Sequence, residues 1–343
     1  MGEPQVSGDC VGFTFTGSGG EYFRICSVNL LLSFLSFGIY SAWAKVRREQ
    51  YFHRNTLLAG SGFDYHGDPR AILKGRLVAW GLVALLGVTQ KFSPELYLAL
   101  LLASLPLLPW LLLRSIRFRA ANTSFRGLRF RHRGSYRESA VAYLGHGLLT
   151  LLTLGLWLPV WMRTMRRFQL GKLSFGGTDF DCQLGAGAFY GAYAKAGLLA
   201  AAPLVLGGVL AGLFWTAGAG KEAWPLAALI PLLVVLGFSL LVRSFLQVRL
   251  ANLTWNATTL GARRFASTQA LRSFAPLHAG NLLLIVLTLG LYWPWAKVRE
   301  AAYRAEHFAV EAADLDAFVA HAQQQASAVG EEIADVFDLD IAL

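Results

Sequence analysis

Cysteine is scarce in this chain: three among 343 residues, Cys10, Cys26 and Cys182, with no CxxC spacing. That pattern argues against a disulfide framework or a structural zinc site. Charge is scarce as well, at 15% against 55% hydrophobic residues, and the mean hydropathy is +0.45. A soluble domain carries about 25% charge. The sequence has no HExxH and no GxSxG, and its seven histidines are dispersed, so neither zinc nor serine hydrolase chemistry is indicated. The body carboxylates lie near strand ends among arginines, where ion pairing suits them better than acid–base work. The chain is therefore read as not an enzyme, with no cofactor and no metal. The polar, Gly-rich stretch 1–20 has no apolar core, so no cleavable signal peptide is expected there.

What is present is repetition. Phe37-Gly38-Ile39-Tyr40-Ser41-Ala42-Trp43-Ala44-Lys45-Val46-Arg47 returns as Leu289-Gly290-Leu291-Tyr292-Trp293-Pro294-Trp295-Ala296-Lys297-Val298-Arg299. Asn29 and Asn281 precede the glycines by the same interval. A weaker middle copy has His146, Gly155, Trp157, Trp161 and Arg163. Each copy is an apolar run that breaks at Gly, passes aromatic residues and ends in a basic helix, a pattern suited to the membrane interface. Asn29, Gly38, Trp43, Gly155, Trp161, Asn281, Gly290 and Trp295 are its structural landmarks.

A shorter repeat lies between these blocks. Phe13-Thr14-Phe15-Thr16-Gly17 matches Phe63-Asp64-Tyr65-His66-Gly67 and Phe130-Arg131-His132-Arg133-Gly134, with degenerate copies at Phe180-Asp181-Cys182 and Phe265-Ala266-Ser267. Alternation with period two predicts five short strands. Four apolar stretches, Leu77–Thr89, Leu96–Leu113, Phe189–Trp215 and Trp224–Val242, are predicted transmembrane helices.

Charge sets the expected orientation. Nine of the 21 acidic residues follow Arg304, and no base does, so twelve acids face 31 bases in the body. The loops Gln90–Pro94 and Thr216–Ala223 hold one base each, while the other loops are basic. The positive-inside rule then places those basic loops and the C-terminus in the cytoplasm. The three Gly-broken segments, Phe23–Trp43, Ala140–Met162 and Pro276–Trp295, are basic at both ends. About 20 residues can span or re-enter, and only a re-entrant turn keeps all the bases on one side.

The sequence reading is thus a mainly α integral membrane protein with internal repeats. It has four transmembrane helices, three Gly-broken segments (re-entrant or spanning) and a small cytoplasmic β-layer of five strands. Residues 1–134 and 135–262 form two tandem units, 263–308 a partial third, and 309–343 an amphipathic and acidic tail. Leu315, Phe318 and Val319, then Val329, Ile333, Val336 and Phe337, give that tail an apolar stripe. Opposite charge suits it to docking on the basic face, its own or that of a membrane-protein partner.

Several blocks resemble the YjgN family of bacterial multi-pass inner-membrane proteins. They are the run from Phe13 to Arg24, Gly38–Arg47, Tyr65-His66-Gly67, Leu73-Lys74-Gly75-Arg76, Ala121–Gly127 and Gly290–Arg299. The resemblance covers Val11 to Phe308. It implies a bacterial inner-membrane location and imports no activity, cofactor or catalytic residue. Anionic membrane lipids are the expected partners. Candidate contacts are Lys45, Arg47, Arg48, Lys297 and Arg299, with the dense cluster Arg117, Arg119, Arg126, Arg129, Arg131 and Arg133. Nucleic acid is disfavoured for bases tethered beside a bilayer. A structural or lipid-interacting membrane protein is the first reading. A transporter or channel for a small solute or lipid is the alternative, because internal repeats and broken helices also build transport sites.

Overall fold

Every copy of the short aromatic repeat opens a unit in which a strand leads into helices and a second, shorter strand returns beside it. The computed structural model describes residues 10–216, 224–311 and 316–324. The first unit comprises β1 (Cys10–Phe15), α1 (Gly19–Leu35), α2 (Ser41–Arg54) and β2 (Thr56–Leu58). The second has β3 (Ser61–Tyr65), α3 (Pro69–Phe92), α4 (Pro94–Ser104), α5 (Leu107–Ala121) and β4 (Thr123–Phe125). The third runs through β5 (Leu128–His132), α6 (Tyr136–Ser139), a π-helical stretch (Ala140–Gly145), α7 (His146–Leu152), α8 (Leu158–Gly171) and β6 (Leu173–Phe175). The fourth holds β7 (Thr178–Cys182), α9 (Ala186–Thr216), α10 (Trp224–Trp255) and β8 (Thr258–Leu260). The fifth closes with β9 (Arg263–Ser267), α11 (Leu271–Leu287), α12 (Trp293–Glu306) and β10 (Phe308–Glu311).

The ten strands form one closed antiparallel barrel in chain order, sealed by β1 against β10 with Val11 opposite Val310. This overturns the expected mainly α architecture with a small five-stranded layer. The five predicted strands are the odd members; between them stand five short strands whose three or four residues give no readable alternation. Paired φ > 0 residues turn three of the even strands directly into the odd ones: Ala59-Gly60, Arg126-Gly127 and Gly176-Gly177. These have the type I′ twist that two-residue hairpins need. One backbone bond recurs in all five units, from the residue after the odd strand to the end of the returning helix. It runs from the amide of Thr16, His66, Arg133, Gln183 and Thr268 to the carbonyl of Asn55, Asn122, Lys172, Ala257 and His307. Consequently every helical excursion leaves and re-enters by the same rim, and the tight turns occupy the other.

Phenylalanines fill the lumen. Phe13, Phe63, Phe125, Phe175, Phe130, Phe180, Phe265 and Phe308 contact one another in a closed circuit with centroid separations from 4.7 to 6.5 Å. Such tilted and offset ring pairs add to the stabilisation from area burial. At the turn rim a further helix, α13 (residues 316–324), covers the lumen. It places Val319 and Ala322 in the same core and Phe318 under the Arg263 guanidinium, 4.2 Å from the ring centre. Asp316 pairs with Arg126, and the Gln323 amide donates to the Arg126 carbonyl at 2.9 Å. Residues 312–315, and the acidic end and apolar stripe of 325–343, lie outside the described residues.

The transmembrane count also changes. Among the described residues three helices are long and apolar enough to cross a membrane, in Pro69–Phe92, Ala186–Leu210 and Leu232–Trp255. The fourth expected span is broken into α4 and α5, bent by 41°. Pro106 stands at the break, where its ring and missing N–H interrupt the helical ladder.

The Gly-broken segments share one tip. Gly38, Gly155 and Gly290 have φ of 88°, 91° and 94°, each preceded by a residue near φ 50° (Phe37, Leu154, Leu289). Their amides donate to Ser33, Thr150 and Ile285 carbonyls at 2.7–2.8 Å, a Schellman-type closure. A hydroxyl two residues before each Gly (Ser36, Thr153, Thr288) then accepts the amide of Tyr40, Trp157 or Tyr292 at 2.9–3.0 Å. That hydroxyl stitches the turn to the helix beyond it.

Phe125 is 2% exposed and contacts two rings of the circuit. Phe125→Ala should cost about 3–5 kcal/mol, the usual range for removing a core aromatic. Thermal unfolding in detergent would register it; an unchanged midpoint would show that the aromatic circuit does not hold the barrel.

Candidate functional site

The helix that returns to each even strand enters the barrel over its open rim. Five such helices, α2, α5, α8, α10 and α12, therefore surround the axis and leave a chamber of about 1510 Å³. Its floor is the aromatic circuit, with Phe13, Phe63, Phe130 and Phe308 exposed to it. Its upper wall is largely apolar: Ala200, Pro203 and Leu204 of α9 and Val235 of α10, with Ser239 between Val235 and the belt. Between floor and wall runs a polar belt to which every returning helix contributes. Glu49 and His53 come from α2, Arg119 from α5, Arg166 and Gln169 from α8, Arg243 and Gln247 from α10, and Arg304 from α12.

Charge in this belt is unbalanced. Four guanidiniums face one carboxylate, and that carboxylate, Glu49, is already engaged by Arg48 at 3.1 Å. Arg304 reaches Glu300 at 3.8 Å. Among the described residues no carboxylate lies within ion-pair distance of Arg119, Arg166 or Arg243. The oxygen of the Gln247 amide is buried without a hydrogen-bond partner among the described residues. Chemically the chamber is a belt with an excess of positive charge beneath a largely apolar throat. No group of three or more His, Cys, Asp or Glu side chains placed to hold a metal ion occurs among the described residues.

The sequence-selected arginines are distributed rather than gathered. Arg119 alone of the Arg117–Arg133 cluster faces the chamber. Arg117 donates to the Gly134 carbonyl at 2.7 Å, and Arg133 pairs with Asp179 at 3.1 Å. Arg129 and Arg131 stand exposed on the outer barrel wall. Arg126 sits at the turn rim, where it donates to Ser61 Oγ at 3.0 Å and binds α13. Lys45, Arg47 and Arg48 lie along α2 and Lys297 and Arg299 along α12, outside the chamber. Arg166, Arg243 and Arg304 could not be singled out in the sequence, because each looks like one more basic residue at the end of a membrane helix. Only closure of the barrel turns those helix ends toward a common axis.

The recurring polar position ties the two limbs together in the second and third tips. Asn281, 2% exposed, donates to the Ala296 carbonyl at 3.4 Å and accepts from Arg299 at 3.1 Å. His146 Nδ1 accepts from Trp157 Nε1 at 2.9 Å in the middle copy. Asn29 is buried at the same level, with its side-chain oxygen lacking a partner among the described residues. Trp43 and Trp295 stack on Tyr40 and Tyr292, at 6.1 and 5.8 Å, while Trp161 leaves its buried Nε1 without a partner among the described residues.

Below the belt, the inward residue that ends each odd strand is Phe15, Tyr65, His132, Cys182 or Ser267. Burial and the nearby Glu49 carboxylate push the Tyr65 hydroxyl up to about 12. His132 is buried as a neutral ring: Nδ1 accepts the Gly134 amide at 3.3 Å, so Nε2 carries the proton and donates to the Phe168 carbonyl at 3.1 Å. Burial lowers its pKa below the ordinary 6.5, and a second ring proton would point at the Gly134 N–H. A His pKa depressed by folding leaves full stability above pH 6.5 and removes it as pH falls below that value, where the unfolded chain binds more protons. Melting temperature should therefore drop below about pH 6.5, and His132→Tyr, which installs the residue of the equivalent Tyr65 position, should flatten that slope. An identical slope in the variant would remove His132 as its cause.

The family model for a bacterial protein of unknown function (DUF898) matches residues 11–336, and the chain belongs to that family. Curated relatives include the inner membrane protein YjgN of Salmonella typhimurium (strain LT2), 29% identical over 162 residues, which cover 47% of this chain and 40% of that protein. YjgN of Escherichia coli O157:H7 is 33% identical over 119 residues, 34% of this chain and 30% of the relative. The strain K12 protein is 32% identical over the same length. The matched stretch thus spans less than half of each relative. No solved structure matches.

Proposed function

We propose that this chain is a lipid-interacting inner-membrane protein whose barrel lies on the cytoplasmic side and holds a basic collar against an anionic leaflet. The observation that carries the reading is the depth of the three shared tips. Phe37, Leu154 and Leu289 are 95–96% exposed, so the tips are apolar and unpartnered among the described residues. Yet the first base beyond each tip glycine, Lys45, Arg163 or Lys297, follows within seven or eight residues. At 1.5 Å per residue that is about 10–12 Å, against a hydrocarbon core of about 30 Å. A base can snorkel a few ångströms but not half a bilayer. The three tips therefore fit one leaflet, while α3, α9 and α10, with 24, 31 and 32 residues, are long enough for both.

Short and long excursions alternate along the chain, and the short units five and one meet where the barrel closes; the short limbs set Lys45, Arg47, Arg163, Arg167, Lys297 and Arg299 at headgroup depth. Each base near an anionic surface contributes about 1 kcal/mol, subject to salt. The cytoplasmic assignment, and with it a cytoplasmic C-terminus, follows from the positive-inside rule applied to those bases. The names of the YjgN relatives support the inner membrane. A permeation role is less well supported, because the aromatic circuit and α13 fill the axis below the chamber.

Reconstitution tests the collar. Thermal stability in nanodiscs should rise on replacing phosphatidylcholine with phosphatidylglycerol, and the gain should shrink in about 1 M salt, where the Debye length falls to about 3 Å. Lys45→Gln with Arg47→Gln and Lys297→Gln should remove much of it. Equal stability in both lipids would overturn the reading.

A further inference from the structure

We propose that the axial chamber is a binding site for an anionic amphiphile: its phosphate head rests in the arginine belt and its acyl chain rises along the apolar upper wall. This inference rests on the lipid-interacting reading but concerns a different place, since the collar bases do not line the chamber.

Three features of the chamber select that chemistry. Arg119, Arg166, Arg243 and Arg304 converge from four helices, with a single carboxylate on the lining and three of the four guanidiniums outside ion-pair distance of any described acid. Planar guanidiniums in that number match the oxygens of a phosphate better than a single carboxylate. Held apart around one axis, they repel one another, and a bound anion would relieve that repulsion. The wall above the belt is largely carbon, from Pro203 and Leu204 on α9 to Val235 on α10, inside segments long enough to cross the bilayer, and its hydroxyl, Ser239, donates to the Leu236 carbonyl of its own helix at 2.7 Å. A free inorganic anion would make no use of that throat. Gln247 adds a buried amide oxygen lacking a donor among the described residues, a position suited to a hydroxyl on the bound head.

Access follows from the difference in excursion lengths. The three one-leaflet tips leave the far half of the bilayer uncrossed over their sectors, so an acyl chain that rises past the tips meets hydrocarbon rather than protein on those sides. The floor is closed by the aromatic circuit, which makes the chamber a cup rather than a conduit.

The test uses the full chain in phosphatidylcholine nanodiscs, titrated calorimetrically with dodecyl phosphate, with inorganic phosphate and with dodecanol. Dodecyl phosphate should bind saturably. Arg166→Gln with Arg243→Gln should weaken it about tenfold or more, as the loss of charge-assisted bonds requires. Leu204→Trp, which fills the throat without touching the belt, should weaken it while leaving the arginines in place. An unchanged circular dichroism spectrum and a melting temperature no lower than the parent's establish that the barrel is intact in both variants; if either melts lower, the comparison of dodecyl phosphate with inorganic phosphate and dodecanol on the parent chain decides. The collar variant Lys45→Gln with Arg47→Gln should bind as the parent does. Inorganic phosphate binding as tightly as dodecyl phosphate would overturn the proposal in favour of a small-anion site, and dodecanol binding equally well would overturn it in favour of an apolar cavity. If the collar variant loses dodecyl phosphate while the belt variant keeps it, the chamber proposal fails and the collar reading stands. Absence of binding together with no preference for phosphatidylglycerol would remove both.

Discussion

Closing a barrel from strands of three to six residues leaves little backbone pairing per strand, so what fills the lumen decides whether the ring exists. A lone two-stranded ribbon is marginal in water, and here every β-hairpin gains its stability by facing the same phenylalanine circuit. That circuit demands one aromatic or aliphatic side chain from each strand at a fixed height. Once the height is fixed, the direction of every strand is fixed, and so is the rim from which every helical excursion departs.

The proposed membrane placement rests on that constraint together with the lengths of the individual excursions. An excursion that begins and ends on one rim must turn back, either within a leaflet or beyond the far surface. Length and the position of the first base separate the two cases: about 10–12 Å of apolar rise in units one, three and five, and helices of 24 or more residues in units two and four. The returning helices must also converge over the barrel mouth. Their basic ends, which elsewhere would be scattered around a membrane protein's perimeter, meet around an axis, and the arginine belt is the result. The belt is a product of topology acting on an ordinary membrane-flanking residue.

Much of this was legible in the sequence, though unevenly. The five odd strands announce themselves through Phe-x-Phe and its variants, because short alternating runs, closed by Gly in three of the five, suit a strand and a turn and fit no helical face. The closing Gly has its own reason: a Cβ at Gly17, Gly67 or Gly134 would lie 2.6–2.7 Å from the ring two residues earlier. The even strands were invisible. Thr56–Leu58 and Thr258–Leu260 are too short for periodicity, and Ala59-Gly60 or Gly176-Gly177 read as generic loop until the partner strand is known. With five strands hidden, a closed barrel could not be inferred, and neither could a chamber above it. The tips were found through their glycines, whereas the capping hydroxyls Ser36, Thr153 and Thr288 carry a signal only in their shared spacing from those glycines. The break at Pro106 had a signal in the sequence, a pair of prolines within an apolar run, yet a proline there bends some helices and divides others.

A barrel whose excursions all leave by one rim fixes which side of the membrane each segment faces, and sidedness can be read by chemical labelling. A membrane-impermeant thiol reagent would be applied to intact spheroplasts and to inverted vesicles, on a background lacking Cys10, Cys26 and Cys182. Single cysteines would stand at Ala59 and Ala262, exposed in the β2–β3 and β8–β9 turns, and at Lys91, exposed at the far end of the α3 excursion. Both turn positions should react from one and the same side, and Lys91→Cys only from the other. Turn positions labelled from opposite sides of the membrane would contradict the arrangement, because no closed barrel can present its hairpins to both.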